Sequence, residues 1–291
     1  MSAALIAVAG TGTFWSEQRS YREAIQNAGA ALEGTARSAE IGTGRSLLEI
    51  ETMLAPIERI VDTELPRTPI DDRSLQTVLR QFNEQSPAQS LAVGDILILD
   101  ANGRVVNRVN PVTETGSDGG RGRFVTAHQA IAPATLSIGA PELDPTTASW
   151  SVMARRPLRR DGATIGAIAV EVPITTFTDF YDAIQPSGGA RIELLLDDGT
   201  LIASQPIQNV TIGAVPVFAK TLLAAAAGQR SGLIEGSEGA GKHVLLRAFR
   251  RVPGRALIVS VSRTRADILR RWYAECTIAA AAFGLFALIA A

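Results

Sequence analysis

Four arginines precede an Asp-Gly turn in the segment from Met153 to Val172, MARRPLRRDGATIGAIAVEV, and a nearly uncharged strand follows that turn. A guanidinium binds a carboxylate through two parallel hydrogen bonds. This arm of the predicted hairpin could therefore form one wall of a site for an acidic ligand. The same pattern is also typical of an ordinary sheet edge in contact with solvent.

Successive residues of a strand point to opposite faces of a sheet. On the arginine-rich strand, one face carries Trp150, Val152, Ala154 and Arg156, and the other carries Ser151, Met153 and Arg155. A tryptophan and an arginine on one face predict a pocket wall, with the ring in apolar contact and the guanidinium on a carboxylate. In the alternative interpretation, Arg156 reaches solvent at the sheet edge and Trp150 lies in the core.

The composition argues against several classes of site. The chain has 291 residues and a net charge of −1, so no strong field favours nucleic acid. Cys276 is the only cysteine, and the two histidines, His128 and His243, lack the neighbours of a zinc site. No arrangement of nucleophile and base is present. We therefore predict a region without catalytic residues, metal or cofactor.

One phosphate-loop match is best explained as a turn. Residues 236–243, GSEGAGKH, have the spacing of that loop but end in His243 where a hydroxyl should bind magnesium. The next residues, VLLRAF, are typical of a strand, whereas a phosphate loop leads into a helix. This segment is predicted to be a hairpin loop.

Both ends of the chain are apolar. Cys276 to Ala291 is an uncharged run of 16 residues, and Ala3 to Trp15 is a shorter run with two glycines and two threonines. A spanning helix needs about 20 apolar residues. We predict partial transmembrane helices in residues 1–15 and, with a juxtamembrane stretch, in residues 266–291, and we place Trp15 at the membrane interface. A buried core helix at each end is the alternative.

Residues 16–65 predict a long helix. Apolar side chains recur every three or four positions, first at Tyr21, Ile25, Ala28 and Leu32, and then at Leu47, Ile50, Leu54, Ile57 and Val61. We expect Gly42-Thr43-Gly44, which lies between these runs, to kink or loosen the helix. Such a helix can transmit a displacement to the bilayer or simply cover a sheet.

After Pro66 and Pro69 the pattern changes to short strands. The runs LILDANGRVV (residues 97–106) and LLLDDGTLIA (residues 194–203) share an apolar strand, an acid, a turn glycine and an apolar return, with one residue of slippage. They indicate an internal duplication of one sheet unit. We predict an α+β protein with two small antiparallel sheets, in residues 66–185 and 186–265, each flanked by helices.

Together these features resemble the double-Cache (tandem PAS-like) sensor regions of bacterial transmembrane receptors, above all those of diguanylate cyclases and hybrid histidine kinases. The resemblance is carried by WSVMARRPL (150–158), by Asp161-Gly162 with Gly166, by FTDFYDAI (177–184), by LLLDDGTLIA (194–203) and by LLRAFRRVPGRALIVSVS (245–262). It implies a membrane-distal ligand domain in residues 66–185, a membrane-proximal domain in residues 186–265, and a homodimer in the inner membrane. The sensor would face the periplasm and signal to a cytoplasmic output.

The resemblance also selects candidate ligand-binding residues. The family's Trp, Val and Arg pattern falls on Trp150, Val152 and Arg156. In RGRFVTAH, Phe124 and His128 occupy the places of a tyrosine and a histidine, whereas arginines at 121 and 123 replace two acids.

Two further candidates complete the predicted site. By the resemblance, an acid in the fifth strand holds the amine of an amino-acid ligand, and Glu171 falls at that place; Tyr181 is the other candidate. The arginines that replace the acids favour an anionic ligand, such as an organic acid, over a simple amino acid. A chemoreceptor ectodomain and a structural or partner-binding ectodomain without a small ligand are the alternatives.

Overall fold

The computed structural model describes residues 2–64, 96–108, 136–145, 147–184, 189–207, 211–238 and 243–290, together with positions 70, 75, 77 and 94. Helix α1, Ser2–Arg59, continues into a short π-helical turn, Ile60–Glu64. The predicted apolar seam is confirmed, because Leu47, Ile50, Leu54, Ile57 and Val61 are completely buried. Burial of this stripe, rather than intrinsic propensity, holds the helix on the rest of the molecule.

Helix α1 continues through Gly42-Thr43-Gly44, so the segment does not interrupt it, and the predicted kink stays a prediction. Gly42 instead lies against the ring of Phe180, which occupies the space where a Cβ atom would be. The next residue, Thr43, bonds back to the carbonyl of Ala39 at 2.8 Å. The lack of a side chain at Gly42 therefore lets the ring of Phe180 pack closely against α1.

The first sheet contains five antiparallel strands in the order β2-β1-β5-β4-β3. Their bounds are β1 Ile96–Asp100, β2 Val105–Arg108, β3 Ser137–Asp144, β4 Ser149–Arg160 and β5 Ala163–Pro173. Helix α2, Thr175–Ile184, follows β5 and packs on α1. The arginine-rich arm is β4, which lies between β5 and the edge strand β3.

The second sheet repeats this arrangement with the order β7-β6-β10-β9-β8. Its elements are β6 Arg191–Leu196, β7 Leu201–Gln205, helix α3 Ala219–Ala226, β8 Ser231–Glu238, β9 His243–Arg251 and β10 Leu257–Thr264. The identical strand order is the structural counterpart of the predicted duplication. The α+β class, with a long N-terminal helix and two antiparallel sheets, is thus confirmed.

The first hairpins of the two sheets have the same hydrogen-bond register, with a one-residue shift relative to the sequence motif. The amide of Asp100 bonds to the carbonyl of Arg104, and that of Leu196 bonds to the carbonyl of Thr200, both at 2.9 Å. Asp100 therefore corresponds to Leu196. Gly103 then corresponds to Gly199, and both need the left-handed backbone, with φ of 79° and 92°.

The segment that resembles a phosphate loop is a strand hairpin, as predicted. Gly236 lies in β8, Glu238 pairs with His243, and His243 begins β9. A strand thus stands where a phosphate loop would continue into a helix.

Helix α4, Arg265–Ala290, packs on the beginning of α1. Arg265 donates to the hydroxyl of Tyr21, and the Trp272 indole donates to Ser20 at 3.0 Å and to the Glu17 carbonyl at 3.2 Å. Later residues of α4 thus meet earlier residues of α1, so the two helices are antiparallel. Across the described part of the chain, no helix has an apolar stretch long enough to cross a membrane.

Candidate functional site

The two faces of the first sheet belong to two different hydrophobic clusters. Val152 and Ala154 of β4 lie in the large core with the seam of α1, whereas Met153 packs with Leu97, Leu99, Ala167 and Ala169. We call the face on α1 the inner face and the opposite one the outer face. The predicted alternation along β4 is therefore correct, and it places Arg156 inside and Arg155 outside.

Arg156 is already paired on the inner face. Its Nε donates to Glu58 at 2.6 Å, and its Nη1 donates to Glu51 at 3.4 Å. Both carboxylates belong to α1, and the three side chains are only 22–24% exposed. A ligand carboxylate at this position would compete with two fixed acids. The geometry therefore supports a structural role for Arg156.

Trp150 lies at the junction of the two sheets. A Cβ atom added at Gly213, which follows β7, would lie 3.4 Å from the Trp150 ring and 3.6 Å from the Pro141 carbonyl. The half-buried indole thus packs on backbone of the second sheet's unit. Trp150 and Arg156 share a face, as predicted, but each is occupied by other residues of the chain.

Tyr181 is completely buried between α2 and α1. Its hydroxyl shares a 2.6 Å hydrogen bond with that of Thr43. Burial raises the pKa of Tyr181, and the hydrogen bond to Thr43 lowers it by a smaller amount. The ring and its hydroxyl anchor α2 on α1 and do not line the outer face. Phe124 and His128 lie outside the described residues.

Glu171 is the predicted residue that the structure places on the outer face. Ser151 donates to its Oε1 at 2.7 Å, and the Gly94 amide donates to its backbone carbonyl at 2.8 Å. A Cβ atom at residue 94 would lie 2.7 Å from Oε2 and 3.0 Å from the Cβ atom of Glu171, so the glycine lets this segment approach the Glu171 side chain closely. The carboxylate is thus positioned by β4 and by the segment before β1.

Arg155 is the outer-face residue that the sequence analysis passed over. It pairs with Ala169, and Glu171 pairs with Met153, so Arg155 and Glu171 are diagonal neighbours on adjacent strands. Such neighbours are about 7–8 Å apart between Cα atoms. Burial lowers the pKa of Arg155, whereas nearby Glu142 raises it. Alternation along β4 was the available signal, but it did not say which face α1 covers.

The outer face therefore combines opposite charges with a flat floor. Ala169 pairs with Arg155 and lies next to Glu171 on the same face, Ala167 follows on the other side of Ala169, and both alanines are buried. A guanidinium can bind a carboxylate, and a carboxylate can bind an ammonium group, so one small zwitterion could contact both. Within the ranges described, no cluster of histidine, cysteine or acidic residues could hold a metal ion.

The outer face of the second sheet carries a buried ion pair instead. Arg247 donates to Glu193, and both side chains are at most 3% exposed. Arg247 also donates to Ser260 at 2.5 Å, and its guanidinium lies 3.6 Å from the centre of the Phe218 ring. By strand register, Glu193 and Arg247 correspond to Leu97 and Met153 of the first sheet. The duplicated faces have thus diverged.

No family model matches the chain, and no curated protein matches it either. Solved structures do. The extracellular domain of rpHK1S-Z16, described as a histidine kinase, is 21% identical with a TM-score of 0.63 and covers 84% of this chain and 98% of that domain.

Two chemoreceptor domains are similar as well. The sensory domain of Campylobacter jejuni Tlp3 with bound isoleucine is 13% identical, with a TM-score of 0.53 and coverage of 85% and 97%. The ligand-binding domain of Pseudomonas fluorescens CtaA with L-alanine is also 13% identical, with a TM-score of 0.57 and coverage of 82% and 98%. The chain therefore has the fold of these sensor domains.

Proposed function

We propose that this chain is the sensor region of a bacterial receptor and binds a small ligand on the outer face of the first sheet. The observation that carries the proposal is the pair Arg155 and Glu171 on the outer face of the first sheet, opposite the face that packs on α1. Arg156, the charged candidate on the opposite face of β4, is paired with two acids of α1. The similar domains of Tlp3 and CtaA have bound amino acids, which supports a ligand-binding role for this chain.

The ligand that fits best is a small α-amino acid. Its ammonium and carboxylate groups flank one carbon atom, and Glu171 and Arg155 are diagonal neighbours on adjacent strands, so one molecule can form hydrogen bonds to both. An organic acid without an amine would meet Glu171 and Glu142 as like charges. The earlier expectation of an anionic ligand rested on arginines at 121 and 123, outside the described residues. Isoleucine and L-alanine in the similar domains point the same way.

The remaining parts of the proposal concern the whole receptor. The antiparallel contact of α1 and α4 brings both ends of the chain to the same end of the molecule, which suits anchorage in an inner membrane with the sensor in the periplasm. Ile41 and Leu48, one heptad apart on α1, are 64% and 60% exposed, which suits a homodimer along this helix. The output would be a diguanylate cyclase or histidine kinase, or alternatively a chemoreceptor rod. This region itself performs no catalysis.

A melting-temperature screen tests the ligand class. We expect at least one L-amino acid to raise the melting temperature of the 291-residue chain, because a ligand at 100 times its Kd stabilises the folded state by about 2.7 kcal/mol. Organic acids of the same size are expected to have no effect. A rise with organic acids alone would contradict the zwitterion assignment. No rise with either class would favour an ectodomain that binds a protein partner.

A further inference from the structure

Glu51 of α1 contacts arginines from both sheets. Its Oε1 accepts from Arg156 of β4 at 3.4 Å, and its Oε2 accepts from Arg255 in the turn between β9 and β10. Arg255 is 204 residues away in the chain and belongs to the second sheet's unit. The Glu51 carboxylate thus binds one arginine from the first sheet and one from the turn that joins two strands of the second.

Arg255 also contacts the first sheet directly. Its Nη1 donates at 2.9 Å to the carbonyl of Leu136, just before β3. The side chains of Arg255, Glu51 and Arg156 are 14–22% exposed, so solvent screens their charges only in part. The exposed pair Arg45–Glu49 joins two residues of α1 itself, and its side chains are 80% and 44% exposed.

We propose that Glu51 is a positioning residue that couples the ligand face of the first sheet to the β9–β10 turn of the second. This inference rests on the proposed function, because the coupling starts at Arg155. Arg155 and Arg156 are adjacent on β4 and point to opposite faces, so a shift of the strand toward a ligand on the outer face also shifts Arg156 on the inner face. The Glu51 side chain then reorients, and its hydrogen bond with Arg255 changes.

The coupling is a shift between two arrangements of one network. Arg156 fixes one oxygen of Glu51 and thereby aims the other oxygen at Arg255. When Arg156 moves away, Glu51 gains rotamers in which the contact to Arg255 is lost, and the turn 252–256 opens more often. A ligand that favours one arrangement of β4 therefore changes the population of the other sheet's turn.

Hydrogen exchange of the ligand-free chain tests the network. The reporters are the amides of Val252 and Arg255, which close the turn by bonding to Leu257 and Val252. Arg156→Gln is expected to speed their exchange on the order of tenfold, although the hydrogen bonds of Arg156 go to Glu58 and Glu51 and not to that turn. In a Glu51→Gln background, Arg156→Gln should not speed the exchange of these amides further. Glu49→Gln alone should leave their exchange unchanged. Unchanged exchange of the turn in Arg156→Gln would overturn the proposal.

A second arm adds 10 mM L-alanine (about that concentration suits weak binding). In the natural sequence, we expect altered exchange in β4 and in the turn 252–256, and in Glu51→Gln we expect it in β4 alone. A ligand effect on the turn that survives Glu51→Gln would overturn the coupling. If L-alanine does not change the exchange of β4, the proposed function is contradicted for this amino acid. The ligand-free experiment then still tests the Arg156–Glu51–Arg255 network by itself.

Discussion

Replacement of Arg247 by methionine is expected to lower the free energy of unfolding by about 3–5 kcal/mol. The change leaves the Glu193 carboxylate, which is completely buried, without its cation. It also removes the guanidinium from the Phe218 ring and the hydrogen bond to Ser260. Urea unfolding followed by tryptophan fluorescence measures the loss, with similar slopes expected for both proteins.

The internal duplication supplies the matched control for this change. Glu193 and Arg247 correspond to Leu97 and Met153, so the double variant Glu193→Leu with Arg247→Met copies the apolar pair of the first sheet. Replacing a buried ion pair by apolar residues of similar volume is often neutral or stabilising. We therefore expect the double variant to recover most of the stability lost in Arg247→Met. If the double variant is as unstable as the single one, the pair is not the cause.

Gly166→Ala is expected to cost about 3 kcal/mol or more of unfolding free energy. Gly166 of β5 pairs with Asp100 of β1, and a Cβ atom there would overlap the backbone carbonyl oxygen of Leu99. A backbone atom cannot rotate away as a side chain can, so β1 and β5 must separate. This packing gives a physical reason for the glycine that follows the Asp161-Gly162 turn in the family-like motif.

Gly44→Ala is the matched control. Gly44 lies in α1, and nothing lies within 4 Å of where its Cβ atom would be. Alanine is favoured over glycine in a helix interior by about 1 kcal/mol, so the same substitution should slightly stabilise the protein here. Urea titrations of both variants check the pair. Equal changes in the free energy of unfolding for Gly166→Ala and Gly44→Ala would mean that the overlap with the Leu99 carbonyl oxygen is relieved without cost.

The fold was predictable because its signals are local. The three-to-four spacing of Leu47, Ile50 and Leu54 needs only a helix with one buried stripe. The hairpins follow from short apolar runs around turn glycines, and Gly103 and Gly199 mark the same turn in both copies. Local sequence could not show the role of Gly42, because that role is a tertiary contact with Phe180, far along the chain.

The candidate site was predictable only in part. Alternation along β4 separates Arg155 from Arg156, but it cannot say which of the two faces α1. That choice depends on Glu51 and Glu58, which are about a hundred residues away in the chain. Glu171 was identified because the resemblance assigns a role to an acid in that strand. Tyr181 was singled out for its type and position, and its partner Thr43 lies 138 residues away.

Binding titrations with Arg155→Gln and Arg156→Gln test the central claim most directly. The probe is the L-amino acid that raises the melting temperature most, and the two neighbouring arginines control for each other. Loss of a charged hydrogen bond costs about 1.5–3 kcal/mol, so Arg155→Gln should raise the Kd at least tenfold. Arg156→Gln should change it by less than about threefold. A large loss of affinity in Arg156→Gln, with Arg155→Gln close to the natural protein, would place the ligand on the inner face and contradict the account.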